Sequence, residues 1–323
     1  MNLFAERLTF SMQPGGWLRA KPSPERVGKG PPMRLKDKIA IVTGAGTGIG
    51  EAISYKFARE GAKLVLAGLP SDPVRDVAAA IVTNGGAATT HLGDLSEADH
   101  ARTCVELAIQ TYGRLDVLVS NAGVFIANAQ TDAYRIEDFE RTLKSNVWTA
   151  FLMTKFALPH LRRTRGNIVF TGSEAGLNGS PDFTPYGGSK GFLHAFMKGV
   201  ALEQAAYGVR ANCVCPGPID TAWTRGSDSP IPLAAQAMID AMVPLGRRGT
   251  PEEMANIFAF LASDEASYVT GALWLADGGV TPAKSDIGAS VPAALREMPA
   301  GKLTLRHSHD GLRNKDVYRA PRP

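Results

Sequence analysis

Cysteine is scarce in this 323-residue chain: there are three, Cys104, Cys213 and Cys215. Three thiols cannot make a disulfide framework, which sets aside the small stapled folds of oxidising compartments. Cys213 and Cys215 share one face if their segment is a strand. They lack the spacing and the histidine partners of a zinc site, so they read as buried small apolar side chains in a reducing compartment, and no metal is expected. Histidine is also sparse, and His307 and His309 stand two apart with no carboxylate or thiol cluster around them. No apolar run nears the ~20 residues of a membrane span. The first twelve residues include Glu6 and Arg7 and lack the apolar core of a secretory signal. These absences lead to the expectation of a cytoplasmic protein with no membrane partner. No repeat period is present, which disfavours a solenoid.

A strong charge of one sign is missing from the body of the chain. The formal charge is +4, but residues 1–32 carry +3 and residues 280–323 carry +4, leaving −3 on residues 33–279. The basic pI of 8.9 therefore comes from the two ends. An acidic body argues against nucleic acid as a partner. The basic ends either meet a neighbouring subunit or are simply solvated.

What is present is an ordinary globular balance, 44% apolar and 20% charged, long enough to bury a sizeable core. Residues 12–32 are rich in proline and glycine, so 1–32 reads as a flexible arm and the compact body as starting at Met33. From Lys38 short apolar runs alternate with amphipathic stretches. Strands are expected at 38–43, 63–67, 88–92, 116–120, 167–171, 209–214 and 272–275. Helices are expected at 49–59, 73–83, 97–111, 136–161, 189–206 and 251–261, the fourth with Pro159 near its end. Strands separated by helices of this length require right-handed crossovers and a parallel sheet, hence a three-layer, doubly wound α/β fold. Two regions break the rhythm. Residues 217–249 are proline-rich, with a short helix at Leu233–Met242, and suit a lid over a site. Residues 280–323 are polar and poorly periodic, and read as a C-terminal extension on the surface of a single domain.

The run Thr43-Gly44-Ala45-Gly46-Thr47-Gly48-Ile49-Gly50 lies between the first strand and the first helix. Glycines there permit a tight turn and a close backbone approach, and free N–H groups at the helix start attract a pyrophosphate. This strand–turn–helix context points to a dinucleotide. At the end of the second strand an acid would select the ribose 2′-OH, but the chain reads Leu66-Ala67-Gly68-Leu69-Pro70. Asp72 and Arg75 are near enough to bend in and favour opposite cofactors. The expectation is NAD or NADP, with a slight preference for NAD.

Taken together these residues resemble the short-chain dehydrogenase/reductase family in its non-extended form, over roughly residues 33–279. The glycine pattern matches at 43–50, Asp94 follows the third strand, and Asn121-Ala122-Gly123 matches the family's NAG. Asn146, Ser173, Tyr186 and Lys190 fall at the catalytic tetrad, Pro216-Gly217 matches the PG after a later strand, and Asp277-Gly278-Gly279 matches the closing DGG. The resemblance implies a Rossmann fold with NAD(P) held by Gly44, Thr47, Gly48, Ile49, Gly68, Asp94, Leu95, Asn121, Ala122, Gly123, Tyr186, Lys190, Pro216, Gly217, Ile219 and Thr221. Three departures stand out: no acid or Arg directly after the second strand, Gly187-Gly188 behind the tyrosine, and a far longer C-terminal end.

Tyr186 and Lys190 are four apart and share one face of a helix. A cationic Lys beside a phenol lowers its pKa, making a general acid/base for an alcohol or carbonyl near neutral pH. The resemblance also gives Lys190 the nicotinamide ribose. Ser173 can donate to the substrate oxygen. Asn146 is a poor helix former inside the long helix, and the resemblance suggests that it holds a kink and a water linking Lys190 to solvent. Substrate contacts are expected from Ser173, Glu174, Asn178, Tyr186 and Trp223. His194 reads as a satisfied helix histidine. The function expected is hydride transfer between nicotinamide and a small or medium secondary alcohol or ketone. The alternatives are a non-catalytic dinucleotide sensor, an epimerase or an enoyl reductase. The family's enoyl-reducing members space Tyr and Lys more widely. A homodimer or homotetramer is expected through the helices carrying Trp148, Phe151, Phe156, Phe192 and Phe196.

Overall fold

The sequence of the first strand, Ile-Ala-Ile-Val-Thr, has no outward polar position, and all five residues of β1 (Ile39–Thr43) are buried. Such a strand must be covered on both faces. In the computed structural model, which describes residues 33–179, 181–221, 233–283, 291–296 and 318–319, β1 lies at the centre of a parallel sheet. The arm 1–32, Trp223 and most of the extension 280–323 lie outside the described residues.

The other strands of the sheet are β2 (Lys63–Gly68), β3 (Ala87–Leu92), β4 (Val117–Ser120), β6 (Asn167–Thr171), β7 (Arg210–Pro216) and β8 (Leu273–Ala276). Their order is β3-β2-β1-β4-β6-β7-β8, every neighbouring pair parallel. Alternate residues of β1 point to opposite faces. Ala40 and Val42 join Ile53 and Phe57 of α1 (Gly48–Arg59), Val77 and Ile81 of α2 (Val74–Thr83), and Phe258 of α8 (Pro251–Ala262). Ile39 and Ile41 join Val105 of α3 (Ala98–Tyr112), Met153 of α5 (Thr149–Thr164), and Leu193 and Met197 of α6 (Thr184–Gln204). The two apolar layers sandwich the sheet, which is the doubly wound arrangement. The direction of winding reverses between β1 and β4, and in such sheets the crevice at the carboxyl ends of those strands takes the ligand.

The long helix expected at 136–161, with a kink held by Asn146, is interrupted at that residue. α4 (Ile136–Leu143) passes into a π turn at Lys144–Trp148 before α5 begins. The physical reason is Asn146, described below. α5 then continues past Pro159 to Thr164. In the proline-rich stretch, α7 spans Leu233–Met242, and the fully buried Arg248 holds it through a 2.6 Å bond to Asp240. A separate short ladder pairs β5 (Ala127–Asn128) with β9 (Tyr318–Arg319), so the described end of the extension lies against the loop after β4.

Candidate active site

The turn after β1 is shaped by contacts that tolerate no side chain. Gly44 has φ of +62°, and a Cβ on Gly50 would lie 1.9 Å from the Gly44 carbonyl oxygen. Asn121 fastens this turn to the sheet. Its amide donates to the Thr43 and Gly44 carbonyls at 3.0 and 3.3 Å, and its Oδ1 accepts from Thr171 Oγ1 at 3.0 Å. Thr43 Oγ1 in turn accepts the backbone N–H groups of Asn121 and Ala122 at 2.9 and 3.0 Å. One amide thus ties β1, β4 and β6 together at their carboxyl ends.

A cavity of about 280 Å³ opens there. Gly44, Thr47, Gly48 and Ile49 line it from the turn, and Gly68 from the end of β2. Asp94 and Leu95 line it after β3, Asn121, Ala122 and Gly123 after β4, and Pro216, Gly217, Ile219 and Thr221 after β7. Ser173, Tyr186 and Lys190 close one side. The structure adds residues that sequence reasoning passed over, among them Leu69, Val124, Ser145, Thr149, Thr171 and Gly172. These have no chemical signature of their own; Leu69, Val124, Thr171 and Gly172 are brought in by their position at or just after strand ends, and Ser145 and Thr149 by the π turn and the start of α5. The elongated cradle of glycines, the N-terminus of α1 and the unfilled backbone surface suit a dinucleotide.

Asp72 also lines the cavity, whereas Arg75 is exposed and does not. Asp72 Oδ2 accepts the Leu69 N–H at 2.9 Å, while Oδ1 is buried with no partner among the described residues. Burial pushes the carboxyl above its ordinary value despite that bond. The absence of an acid directly after β2 is therefore made up from the next turn, because the chain bends back over Gly68. A Cβ on Gly68 would lie 2.9 Å from Asp72 Oδ2.

Asn146 does not line the cavity but stands behind Gly123, fully buried. Its Oδ1 accepts the Val124 N–H at 2.7 Å, and its Nδ2 donates to the Val124 carbonyl at 3.0 Å and to Ser189 Oγ at 2.9 Å. The amide clamps the loop after β4 to α6. The π turn is the backbone consequence of placing the side chain there. Ser189, which sequence reasoning missed, donates in turn to the Tyr186 carbonyl at 2.7 Å.

Lys190 Nζ donates to the Thr171 carbonyl at 2.9 Å and sits 5.6 Å from the centre of the Tyr186 ring. Ser173 Oγ accepts the Ala175 N–H at 3.2 Å. The Tyr186 ring meets Phe125 edge-on at 5.6 Å, and Phe125 stacks on Phe183 at 5.1 Å. The expected lowering of the phenol is reversed in this chain. Burial pushes Tyr186 up to about 12, against a downward pull from the Ser173 hydroxyl. Burial likewise brings Lys190 down to about 8.

Glu174 and Asn178, expected as substrate contacts, stand beside the cavity and are not among the residues lining it. Asn178 Nδ2 bridges Glu174 Oε2 at 3.5 Å and Thr281 Oγ1 at 3.4 Å, which turns both toward the chain after β8. Burial and Asp277 hold Glu174 above the usual carboxylate range. His194 also departs from expectation. It does not find the partners of an ordinary helix histidine but points at the two thiols: its Nε2 is 3.3 Å from Cys215 Sγ. The histidine absent from the local sequence of Cys213 and Cys215 is thus supplied by α6, packed on β7.

Comparison with known proteins agrees with this geometry. A family profile described as "Enoyl-(Acyl carrier protein) reductase" matches residues 44–281. Meso-2,3-butanediol dehydrogenase of Serratia marcescens is 37% identical over 249 residues, covering 77% of this chain and 96% of that protein. The 2-(S)-hydroxypropyl-CoM dehydrogenase 3 of Xanthobacter autotrophicus is 38% identical over 253 residues, covering 77% and 98%. A solved double mutant of a Serratia marcescens short-chain dehydrogenase/reductase superposes with a TM-score of 0.71 at 32% identity, covering 77% of this chain and 99% of its own. The chain belongs to the short-chain dehydrogenase/reductase family. It is thereby an NAD(P)-dependent oxidoreductase, and none of the described helices is long and apolar enough to cross a membrane.

Proposed function

We propose that this protein is an NAD-preferring dehydrogenase of small secondary alcohols, or reductase of the matching ketones, with Tyr186 as its general acid/base. The observation that carries the reading is the convergence of Tyr186, Ser173 and Lys190 on one side of a glycine-floored cavity. A nicotinamide dinucleotide held by the cavity residues would supply the hydride acceptor or donor. Ser173 shares the substrate oxygen with Tyr186, and the developing alkoxide is steadied by both hydroxyls. Tyr186 takes the hydroxyl proton in oxidation and returns it in reduction. Lys190 holds ammonium charge against the ring and favours the tyrosinate. Asn146 positions the loop and α6 through Val124 and Ser189. Phe125, edge-on to the Tyr186 ring and stacked on Phe183, gives the phenol an apolar flank that suits a partly apolar substrate. The relatives named above act on small hydroxylated compounds, which supports the same class here. An enoyl substrate fits less well, because Tyr186 and Lys190 lie a single helical turn apart.

The preference for NAD rests on Asp72. A buried carboxylate oxygen with no donor among the described residues is matched by a ribose 2′-OH and repels a 2′-phosphate. NADH and NADPH binding, followed by the change in nicotinamide fluorescence without substrate, tests it. The wild type should favour NADH by about tenfold or more, about 1.4 kcal/mol or more. Asp72→Asn should narrow that ratio. Equal affinities in the wild type would end the assignment to NAD. Turnover of secondary alcohols, read as reduced-nicotinamide absorbance, tests the reaction itself.

A further inference from the structure

Behind the wall of the cavity lies a cluster that the reaction does not use. Cys213 and Cys215 are fully buried on one face of β7, and His194 of α6 is buried against them. One ligand atom from each, Nε2 and two Sγ, lie within 4.8 Å of one another. His194 Nε2 is 3.3 Å from Cys215 Sγ. Tetrahedral zinc ligation, at about 2.0 Å to nitrogen and 2.3 Å to sulfur, spaces its ligand atoms by roughly 3.5–4 Å. The cluster is within small side-chain adjustments of that spacing.

The surroundings reserve the place. A Cβ on Gly172 would lie 2.5 Å from His194 Nε2 and 2.7 Å from Cys213 Sγ, and one on Gly176 would lie 2.7 Å from the ring's Cε1. Only glycine lets these turns close over the ring. Gly172 also lines the cavity, so a single layer of backbone separates the cluster from solvent-reachable space. The far nitrogen of the ring, Nδ1, is buried with no partner among the described residues. Every polar contact of the imidazole is therefore on the side of the thiols, with Ser173 N–H donating to the same Nε2 at 3.5 Å.

We propose that His194, Cys213 and Cys215 form a buried site for a thiophilic divalent cation of the zinc group. Binding forms two metal–thiolate bonds and one metal–imidazole bond, and the two thiol protons leave to solvent. The resulting unit carries no net charge, which suits a buried position. Ligation takes Nε2 from the Ser173 N–H, and it places a cation behind Lys190, which faces both thiols. Occupancy therefore disturbs the residues on the cavity wall and lowers turnover.

Cadmium is the probe, because each cadmium–thiolate bond adds to an ultraviolet charge-transfer band. The full chain, first cleared with chelator, is mixed with cadmium in the absence of dinucleotide and substrate. Retained metal is then counted after gel filtration. The expected result is one cadmium per chain carrying two thiolate bonds, both in the wild type and in Cys104→Ala. Cys213→Ala and Cys215→Ala should each weaken binding at least ~10-fold, and His194→Gln should do the same. Circular dichroism reports whether each variant is folded, and the wild-type band counts thiolates without any variant. No retained cadmium in the wild type, no thiolate band, or unchanged affinity in the folded cysteine variants would overturn the site. None of these readings depends on the dehydrogenase reaction.

Discussion

At the scale of single residues, the proposed chemistry turns on two groups that burial pushes toward neutrality. Tyr186 rises to about 12 and Lys190 falls to about 8. Tyr186→Phe removes the proposed proton carrier and leaves the ring packing on Phe125 intact. Turnover should fall about 10²–10⁴-fold, while NADH binding by fluorescence stays unchanged. Full activity in the variant would remove Tyr186 from the mechanism. Lys190 makes a second, thermodynamic prediction. Its ordinary value of 10.5 falls to about 8 on folding. Between those values the unfolded chain holds a proton that the folded chain has released, so stability rises with pH there. Below pH 8 both forms are charged and the burial penalty, on the order of 3 kcal/mol, is fully present. Lys190→Met removes that penalty, less what the orphaned Thr171 carbonyl loses. Its thermal midpoint relative to wild type should therefore be highest at pH 7 and decline toward pH 10 by circular dichroism. A difference that does not change with pH would contradict the assignment.

At the scale of elements, the start of α6 decides where Ser173 and Tyr186 meet. Gly187 and Gly188 look alike in sequence, but their surroundings differ. A Cβ on Gly187 would sit 2.7 Å from the Ala175 carbonyl, whereas nothing lies within 4 Å of one on Gly188. Gly187→Ala should destabilise the fold and lower kcat, because it pushes α6 off the turn that presents Ser173. Gly188→Ala should stabilise by roughly 0.5–1 kcal/mol, the usual gain of Ala over Gly in a helix. Thermal melts and single-substrate kinetics on both variants check the contrast. The π turn belongs to the same scale. Asn146→Ala deletes three hydrogen bonds and leaves the half-buried Val124 N–H without its acceptor. A loss of stability of about 1–3 kcal/mol should accompany a lowered kcat with Lys190 still in place.

At the scale of the whole molecule, an apolar surface is unpartnered among the described residues. Trp148 is 52% and Phe192 40% exposed, and they end a row of rings running Trp148–Phe151–Phe196–Phe192 at 5.4–6.2 Å. Phe156 is covered differently, by the Arg102 guanidinium at 5.3 Å. A homodimer or homotetramer that buries this row is the expected solution state. Light scattering should give a multiple of the 34.3 kDa chain mass, and Phe192→Glu should shift it downward. A monomer in the wild type would refute the interface.

The alternation of short apolar runs with helical stretches determined, from sequence alone, the strands, the parallel sheet and the crossovers between them. A strand buried on both faces has no polar position, and β1 shows this openly. The motifs at Gly44–Gly50, Asn121–Gly123 and Tyr186–Lys190 were equally legible, because each depends on residues close together in the chain. The tertiary structure alone decided what depends on residues far apart. It set Asp72 against Gly68, carried His194 to Cys213 and Cys215, and bent the helix at Asn146 toward Val124. It also reversed the direction in which Tyr186 titrates. Spacing along a helix says which side chains share a face, but desolvation depends on everything packed around that face, and only the folded chain supplies it.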